Sequence, residues 1–137
     1  MNELTESQQI IANAMSEAEL QANVDDALRK AGAQYVYHTH KSRYSERSMP
    51  DTFAVLDGRL IFIENKREKG KFIPAGETPR THRYQPGQLD IMEIILATGK
   101  AEVYSMRPSE WLAGKMELII SGLFPNLQAD IAELRGK

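Results

Sequence analysis

The chain of 137 residues contains no cysteine. It can therefore form neither a disulfide framework nor a thiolate zinc site, and it suits the reducing conditions of a cytoplasm. It also lacks an apolar run of about 18 residues, the length that crosses a bilayer, and its acidic, amphipathic N-terminus differs from a secretory signal. We therefore expect an intracellular, cytoplasmic protein of one domain that contacts no membrane.

The chain has no excess of positive charge, because its net charge is −2, and this argues against a nucleic-acid partner. Basic residues are nevertheless concentrated, since residues 38–47 and 66–83 hold nine of the 17 lysines and arginines against three acidic residues. Such runs are usually solvated loops. If they flank a carboxylate cluster, they become candidates for contacts with DNA phosphates. The candidates are Lys41, Arg43, Arg47, Lys69, Lys71, Arg80 and Arg83.

The hydrophobic pattern predicts an α/β fold, a mixed β-sheet flanked by helices, with the element order α-β-β-β-α-β-α. Ser16 and Glu19 form a capping box that begins the first helix, and Gly32 ends it. Residues 1–15 are either a tail or a helical extension, and residues 16–137 are expected to form the single domain. The other expected elements are strands at 34–40 and 101–106, helices at 87–98 and 108–123, and a last helix after Pro125.

The most informative segment is a predicted β-hairpin. Strand-like residues 52–56 and 59–66 are separated by Asp57-Gly58, which is typical of a type I′ turn because both central residues need positive φ. A two-residue turn fixes the register, so Asp51 should lie opposite Glu64. The period of two then places Glu64 and Lys66 on one face.

Two opposed acids repel each other, and a divalent cation such as Mg²⁺, which prefers oxygen ligands, would offset that repulsion. Lys66 would lie beside the ion. The structural alternative is that Asp51 caps a turn after Pro50 and that Glu64 and Lys66 form an exposed edge pair. The histidines do not have the spacing of a metal site, so we interpret them as satisfied or solvent-facing.

The segment Pro50-Asp51, followed by a hairpin and Glu64-Asn65-Lys66, resembles the PD-(D/E)XK nuclease motif. Its surroundings are similar to the VRR-NUC family of that superfamily. There a glutamate precedes an apolar residue and a glutamine in the first helix, here Glu19-Leu20-Gln21, and a second glutamine opens a helix that runs to a glycine, here from Gln88 to Gly99. The likeness covers roughly residues 16–112.

The resemblance implies a nuclease that uses Mg²⁺ or Mn²⁺ to hydrolyse phosphodiester bonds in DNA, often branched or flapped DNA, and that is a homodimer in some members. It implies that Asp51, Glu64 and the main-chain carbonyl of Asn65 bind the metal, with Glu19 reaching it directly or through water. Lys66 would be catalytic, and Gln88 would face the site.

This chain departs from the family pattern in two places. Ser48 stands where the family usually has glycine, and a longer link at residues 72–84 makes Gln85 a competitor of Gln88. Two other functions stay open: a catalytically silent binding protein with a nuclease fold, for example a phage-encoded factor that binds DNA or protein, and a restriction or junction-resolving nuclease of the same superfamily. Specificity lies in loops, so the sequence does not choose between the nuclease roles.

Overall fold

The computed structural model describes residues 1–38, 49–68 and 88–125, without the side chains of Gln88 and Leu89. Within these ranges the protein has a mixed α/β fold, a four-stranded sheet flanked by helices. None of the described helices is long and apolar enough to cross a bilayer. The elements are α1 (Glu6–Ala14), α2 (Glu17–Lys30), β1 (Tyr35–His38), β2 (Thr52–Leu56), β3 (Arg59–Asn65), α3 (Gln88–Ala97), β4 (Glu102–Met106), α4 (Pro108–Leu112) and α5 (Lys115–Ile120).

The sheet has the strand order β1-β2-β3-β4, in which β2 is antiparallel to both β1 and β3, and β4 is parallel to β3. The turn between β2 and β3 has φ of 49° at Asp57 and 78° at Gly58, as a type I′ turn requires. Leu56 pairs with Arg59 and Thr52 with Ile63. The predicted hairpin and its register are therefore confirmed.

The two faces of the sheet are covered by different helices. Helices α2 and α5 pack on one face, where Leu20, Val24 and Leu28 meet core residues of the strands such as Ile61 and Ile63. Helix α3 packs on the other face through Met92 and Leu96, which contact Val103 and Phe62. We call these the α2 face and the α3 face. Because successive strand residues point to opposite faces, Ile63 and Asn65 belong to the α2 face and Glu64 to the α3 face.

Local capping sets the start of the N-terminal helices. The Ser16 hydroxyl accepts a hydrogen bond from the main-chain N–H of Glu19 at 3.1 Å, so α2 begins where the sequence predicted. Thr5 and Gln8 form a complete capping box for α1, so a helix of nine residues lies within residues 1–15. Helix α3 and strand β4 also match their predicted positions to within a residue.

The single helix predicted at 108–123 is wrong. The structure divides it into α4 and α5. Gly114 between them has a φ of 96°, a left-handed conformation that a continuous helix does not contain. The break brings the buried Lys115 within 2.8 Å of Glu110. The end of the predicted strand at 34–40 and the helix after Pro125 lie outside the described residues.

Candidate metal centre

Asp51 lies at the start of β2 with only 8% of its surface exposed. Its Oδ2 accepts a hydrogen bond from the main-chain N–H of Asn65 at 2.8 Å. The last residue pair of the β2–β3 hairpin is Thr52 with Ile63, and Asn65 lies two residues beyond Ile63. The Asp51 carboxylate therefore accepts a main-chain N–H beyond the end of the paired residues. The hairpin therefore holds this carboxylate against the main chain of the Glu64–Asn65 segment.

Glu64 is the second acid at this end of the sheet. It is 1% exposed, and it lies on β3 beside Ser105 of β4, on the α3 face. An ionised carboxylate loses its hydration when it is buried and must be compensated by cations or hydrogen bonds. Two buried acids therefore lie at one end of the sheet, where each needs such compensation.

Lys66 and Asn65 lie on either side of the sheet plane. The main-chain N–H of Lys66 donates to the carbonyl of Met106 at 2.9 Å, so β4 still fixes the backbone here, and the Lys66 side chain is half-buried. The Asn65 side chain is 1% exposed, and its two amide atoms have no hydrogen-bond partner among the described residues. A buried amide without hydrogen bonds lowers the free energy of unfolding by about 1–3 kcal/mol. Such amides are uncommon at positions that serve stability alone.

Glu19 has a local role in the structure. It is exposed, and its Oε1 accepts a hydrogen bond from the Ser16 hydroxyl at 3.2 Å in the N-terminal turn of α2. The α2 residue that contacts Asp51 is Gln21, whose amide nitrogen donates to the main-chain carbonyl of Asp51 at 3.1 Å. The role of Glu19 at a metal stays a prediction.

A polar network behind Asp51 was missed by sequence reasoning. The Gln21 amide also contacts Nδ1 of His38, which lies 3.5 Å from Oδ2 of Asp25. The other oxygen of Asp25 accepts a hydrogen bond from the Thr52 hydroxyl at 2.6 Å. The network thus ties α2, β1 and β2 together next to the acid. The sequence feature that could have indicated this network is Asp25, an acid directly after Val24 in the apolar stripe of α2.

An open cleft of about 920 Å³ lies between α2 and the ends of β1 and β2. Its charged and polar lining is predominantly acidic and suits a cation better than a phosphate backbone. The described residues contain no group of three or more His, Cys, Asp or Glu side chains that could hold a metal ion. The lining includes Glu17, Gln21, Asp25, Asp26, Arg29, His38 and Asp51.

Several predicted site residues cannot be placed. Gln88 is the first residue of α3, and its side chain is not described. Gln85 and all seven predicted DNA-binding residues, Lys41, Arg43, Arg47, Lys69, Lys71, Arg80 and Arg83, lie outside the described residues. Their roles stay predictions.

Comparisons with known proteins give no neighbour for this chain. No protein-family model, curated protein or solved structure matches it. A function for this chain therefore has to be inferred from the residues of the site.

Proposed function

We propose that the protein is a metal-dependent nuclease with a PD-(D/E)XK-type core that hydrolyses phosphodiester bonds in DNA, using Mg²⁺ or Mn²⁺. One observation carries the proposal. The hydrogen bond from Asn65 to Asp51 brings one buried carboxylate to the segment that contains the second buried carboxylate, Glu64, with Lys66 two residues further on the same strand. The VRR-NUC pattern in the sequence supports the same assignment.

The donors at this position fit a hard divalent cation. Asp51, Glu64 and the main-chain carbonyl of Asn65 would hold it, and all three offer oxygen, which Mg²⁺ prefers. An ionised carboxylate has about four acceptor positions, so the hydrogen bond from Asn65 orients Asp51 without using up its capacity. Two carboxylates and a carbonyl leave room for waters, which Mg²⁺ retains. Such an ion, when bound, polarises a phosphoryl oxygen and lowers the pKa of a water.

The remaining chemistry comes from the chain itself. The Lys66 ammonium would stabilise negative charge that develops on the phosphate oxygens, an effect that is strong where water is partly excluded. Gln21 holds the main chain of Asp51, and Asn65 holds its side chain. A site fixed by two separate elements needs little reorganisation during the reaction.

A pair of matched asparagine variants tests the proposal. Asp51→Asn removes the charge but keeps an oxygen that can accept the hydrogen bond from Asn65, so the fold should persist. We expect cleavage to fall by at least about 100-fold. Asp57→Asn removes a carboxylate from the other end of the same hairpin, where asparagine also tolerates positive φ, and it should cleave at the wild-type rate.

The measurement is cleavage of single-stranded, duplex, flapped and four-way DNA with Mg²⁺ or Mn²⁺, together with thermal unfolding of each variant. Undiminished cleavage by Asp51→Asn would refute the site. If the folded wild-type protein cleaved none of these substrates with either ion, the proposed activity itself would be rejected.

A further inference from the structure

Four aromatic side chains form a continuous surface across three strands of the α3 face. Tyr37 of β1 pairs with Phe53 of β2, which pairs with Phe62 of β3, and directly paired residues share a face. The rings of Phe53 and Phe62 have centroids 5.1 Å apart. Tyr35 lies edge-on to Phe53 at 6.0 Å. We call Tyr35, Tyr37, Phe53 and Phe62 the aromatic row.

The β1 side of the aromatic row is open to solvent. Tyr35 is 51% and Tyr37 47% exposed, whereas at the other end Phe62 packs with Met92 and Leu96 of α3. The two tyrosine rings are nearly parallel, with an interplanar angle of 9° and centroids 6.4 Å apart. Exposed aromatic rings that adjoin one another are typical of binding surfaces.

The aromatic row lies next to the two acids. Glu64 is two residues beyond Phe62, and Asp51 is two residues before Phe53. A strand rises about 3.3 Å per residue, so each acid is separated from the nearest phenylalanine of the aromatic row by roughly 7 Å along the chain. Two residues is one period of the strand, so Glu64 belongs to the same face as the aromatic row, and Asp51, which directly precedes β2, is held to the Glu64–Asn65 segment by the hydrogen bond from the main-chain N–H of Asn65.

We propose that the aromatic row stacks unpaired bases of a DNA strand and thereby presents that strand to Asp51 and Glu64. This inference rests on the proposed nuclease function and adds its substrate class, single-stranded DNA or an unpaired segment. Every base has a π face, so aromatic rings bind unpaired strands with little sequence preference, and bases inside a duplex do not offer that face.

Charge along the sequence favours a polyanion over an apolar protein as the occupant. Strand β1, which carries both tyrosines, is followed within nine residues by Lys41, Arg43 and Arg47, with a single acid, Glu46, among them. Single-strand binding proteins combine such basic residues for the backbone with aromatic rings for the bases. The aromatic row thus supplies the rings, and the sequence that follows β1 supplies the basic residues.

The test separates the ring from the bulk of the side chain. Tyr37→Leu keeps an apolar side chain, whereas Tyr37→Phe keeps the π face. We expect Tyr37→Leu to raise the Kd for a short fluorescein-labelled single strand about 10-fold and Tyr37→Phe to leave it within about twofold. Tyr35→Leu should act in the same direction. Anisotropy is measured with EDTA present, so that binding is read without cleavage, and circular dichroism checks the fold.

Two further probes define the ligand. An abasic strand of equal length carries the same phosphates without bases, and Tyr37→Leu should not change its Kd. Duplex DNA should likewise be insensitive to the substitution. Ile10→Ala, which removes an exposed apolar side chain from α1, is the matched control and should bind as the wild type does.

Equal single-strand affinities of the wild type, Tyr37→Leu and Tyr35→Leu would overturn the inference. So would an equal loss on the abasic strand, or a folded Tyr37→Leu protein whose oligomeric state alone changes in sedimentation, which would make the face a contact between copies. These outcomes are distinct from failure of the nuclease proposal. If Asp51→Asn cleaved normally while the ring variants lost single-strand binding, the aromatic row would stand as a binding surface and the catalytic assignment would fall.

Discussion

The two ends of the β2–β3 hairpin use charge in opposite ways. At the end distant from the turn, the buried Asp51 directly precedes β2 and the buried Glu64 lies near the end of β3. At the turn end, Arg59 and Glu102 form an ion pair with two hydrogen bonds of 2.8 Å each. The first end carries two charges of one sign, and the turn end pairs two charges of opposite sign.

The turn end is stabilised from several elements. The Arg59 guanidinium also donates to the main-chain carbonyls of Ile119 and Ile120, at 2.6 and 2.8 Å, where α5 ends. The Tyr104 hydroxyl donates to Glu102 at 2.5 Å. The hydrogen bonds from Arg59 hold the pKa of the Glu102 carboxyl below its usual value, and burial is the main cause that raises the pKa of Tyr104. Arg59 and Tyr104 thus both favour the ionised form of Glu102, as expected of a structural ion pair.

The comparison separates a charge pair that stabilises the fold from two acids to which the proposed function gives a chemical role. Arg59 satisfies two helix carbonyls and one carboxylate at once. Without it, Glu102 would keep the hydrogen bond from Tyr104 and Ile119 the one from the main-chain N–H of Gly122, but the charged hydrogen bonds would be lost. Asp51 and Glu64 instead carry charge of one sign, and the proposed function assigns both to a divalent cation. Substitutions at the acid end should therefore change activity more than stability, and those at the turn end should do the reverse.

After Asp51→Asn, the largest effect is expected for Lys66 at the acid end. Lys66→Met keeps the aliphatic stem and removes the ammonium, so it should lower the cleavage rate about 100-fold while the protein stays folded. Mn²⁺ affinity, measured by titration calorimetry, should be nearly unchanged, because the ammonium acts on charge that develops in the transition state. Lys100→Met, in the exposed turn after α3, is the control. A loss of Mn²⁺ affinity without unfolding would mean that Lys66 organises the ligands instead.

A smaller effect, on stability, is expected at the turn end. Arg59→Met should lower the free energy of unfolding by about 2 kcal/mol, because the charged hydrogen bonds to Glu102 and to the end of α5 are lost. Lys30→Met removes an exposed pair with Asp26, whose side chains are 78% and 58% exposed, and it should cost less than about 0.5 kcal/mol. Urea unfolding compares the two. Equal costs would show that the Arg59 cluster is no stronger than a surface pair.

The smallest effect is a pH dependence at the turn end. The pKa of Glu102 is lowered on folding, so its contribution is present above the unfolded pKa of about 4.3 and is lost as the pH falls through the lower folded pKa. Glu102→Gln should be less stable than the wild type at neutral pH, with a difference of about 1 kcal/mol that shrinks below about pH 4. Thermal unfolding across this range measures it. A difference that stayed constant with pH would contradict the assignment.

The sequence predicted those parts of the site that depend on short-range geometry. The Asp57-Gly58 turn fixed the register, and the register placed Asp51 beside the Glu64–Asn65 segment, as the hydrogen bond at 2.8 Å shows. Sequence reasoning did not find Gln21 as the α2 residue that contacts Asp51. That contact depends on how α2 is rotated and set along the sheet, which the packing of Leu20, Val24 and Leu28 decides.

By itself, then, the sequence determined the hairpin, the caps of the first helices and the alternation that separates Glu64 from Asn65, because each depends on residues a few positions apart or on a fixed period. The tertiary structure decided the rest. Arg59 meets Glu102 from 43 positions away, and the half-exposed tyrosines of the aromatic row lie on the face that α3 covers at its other end. Such contacts arise when helices and strands pack as whole units, and the pattern within one segment does not contain that information.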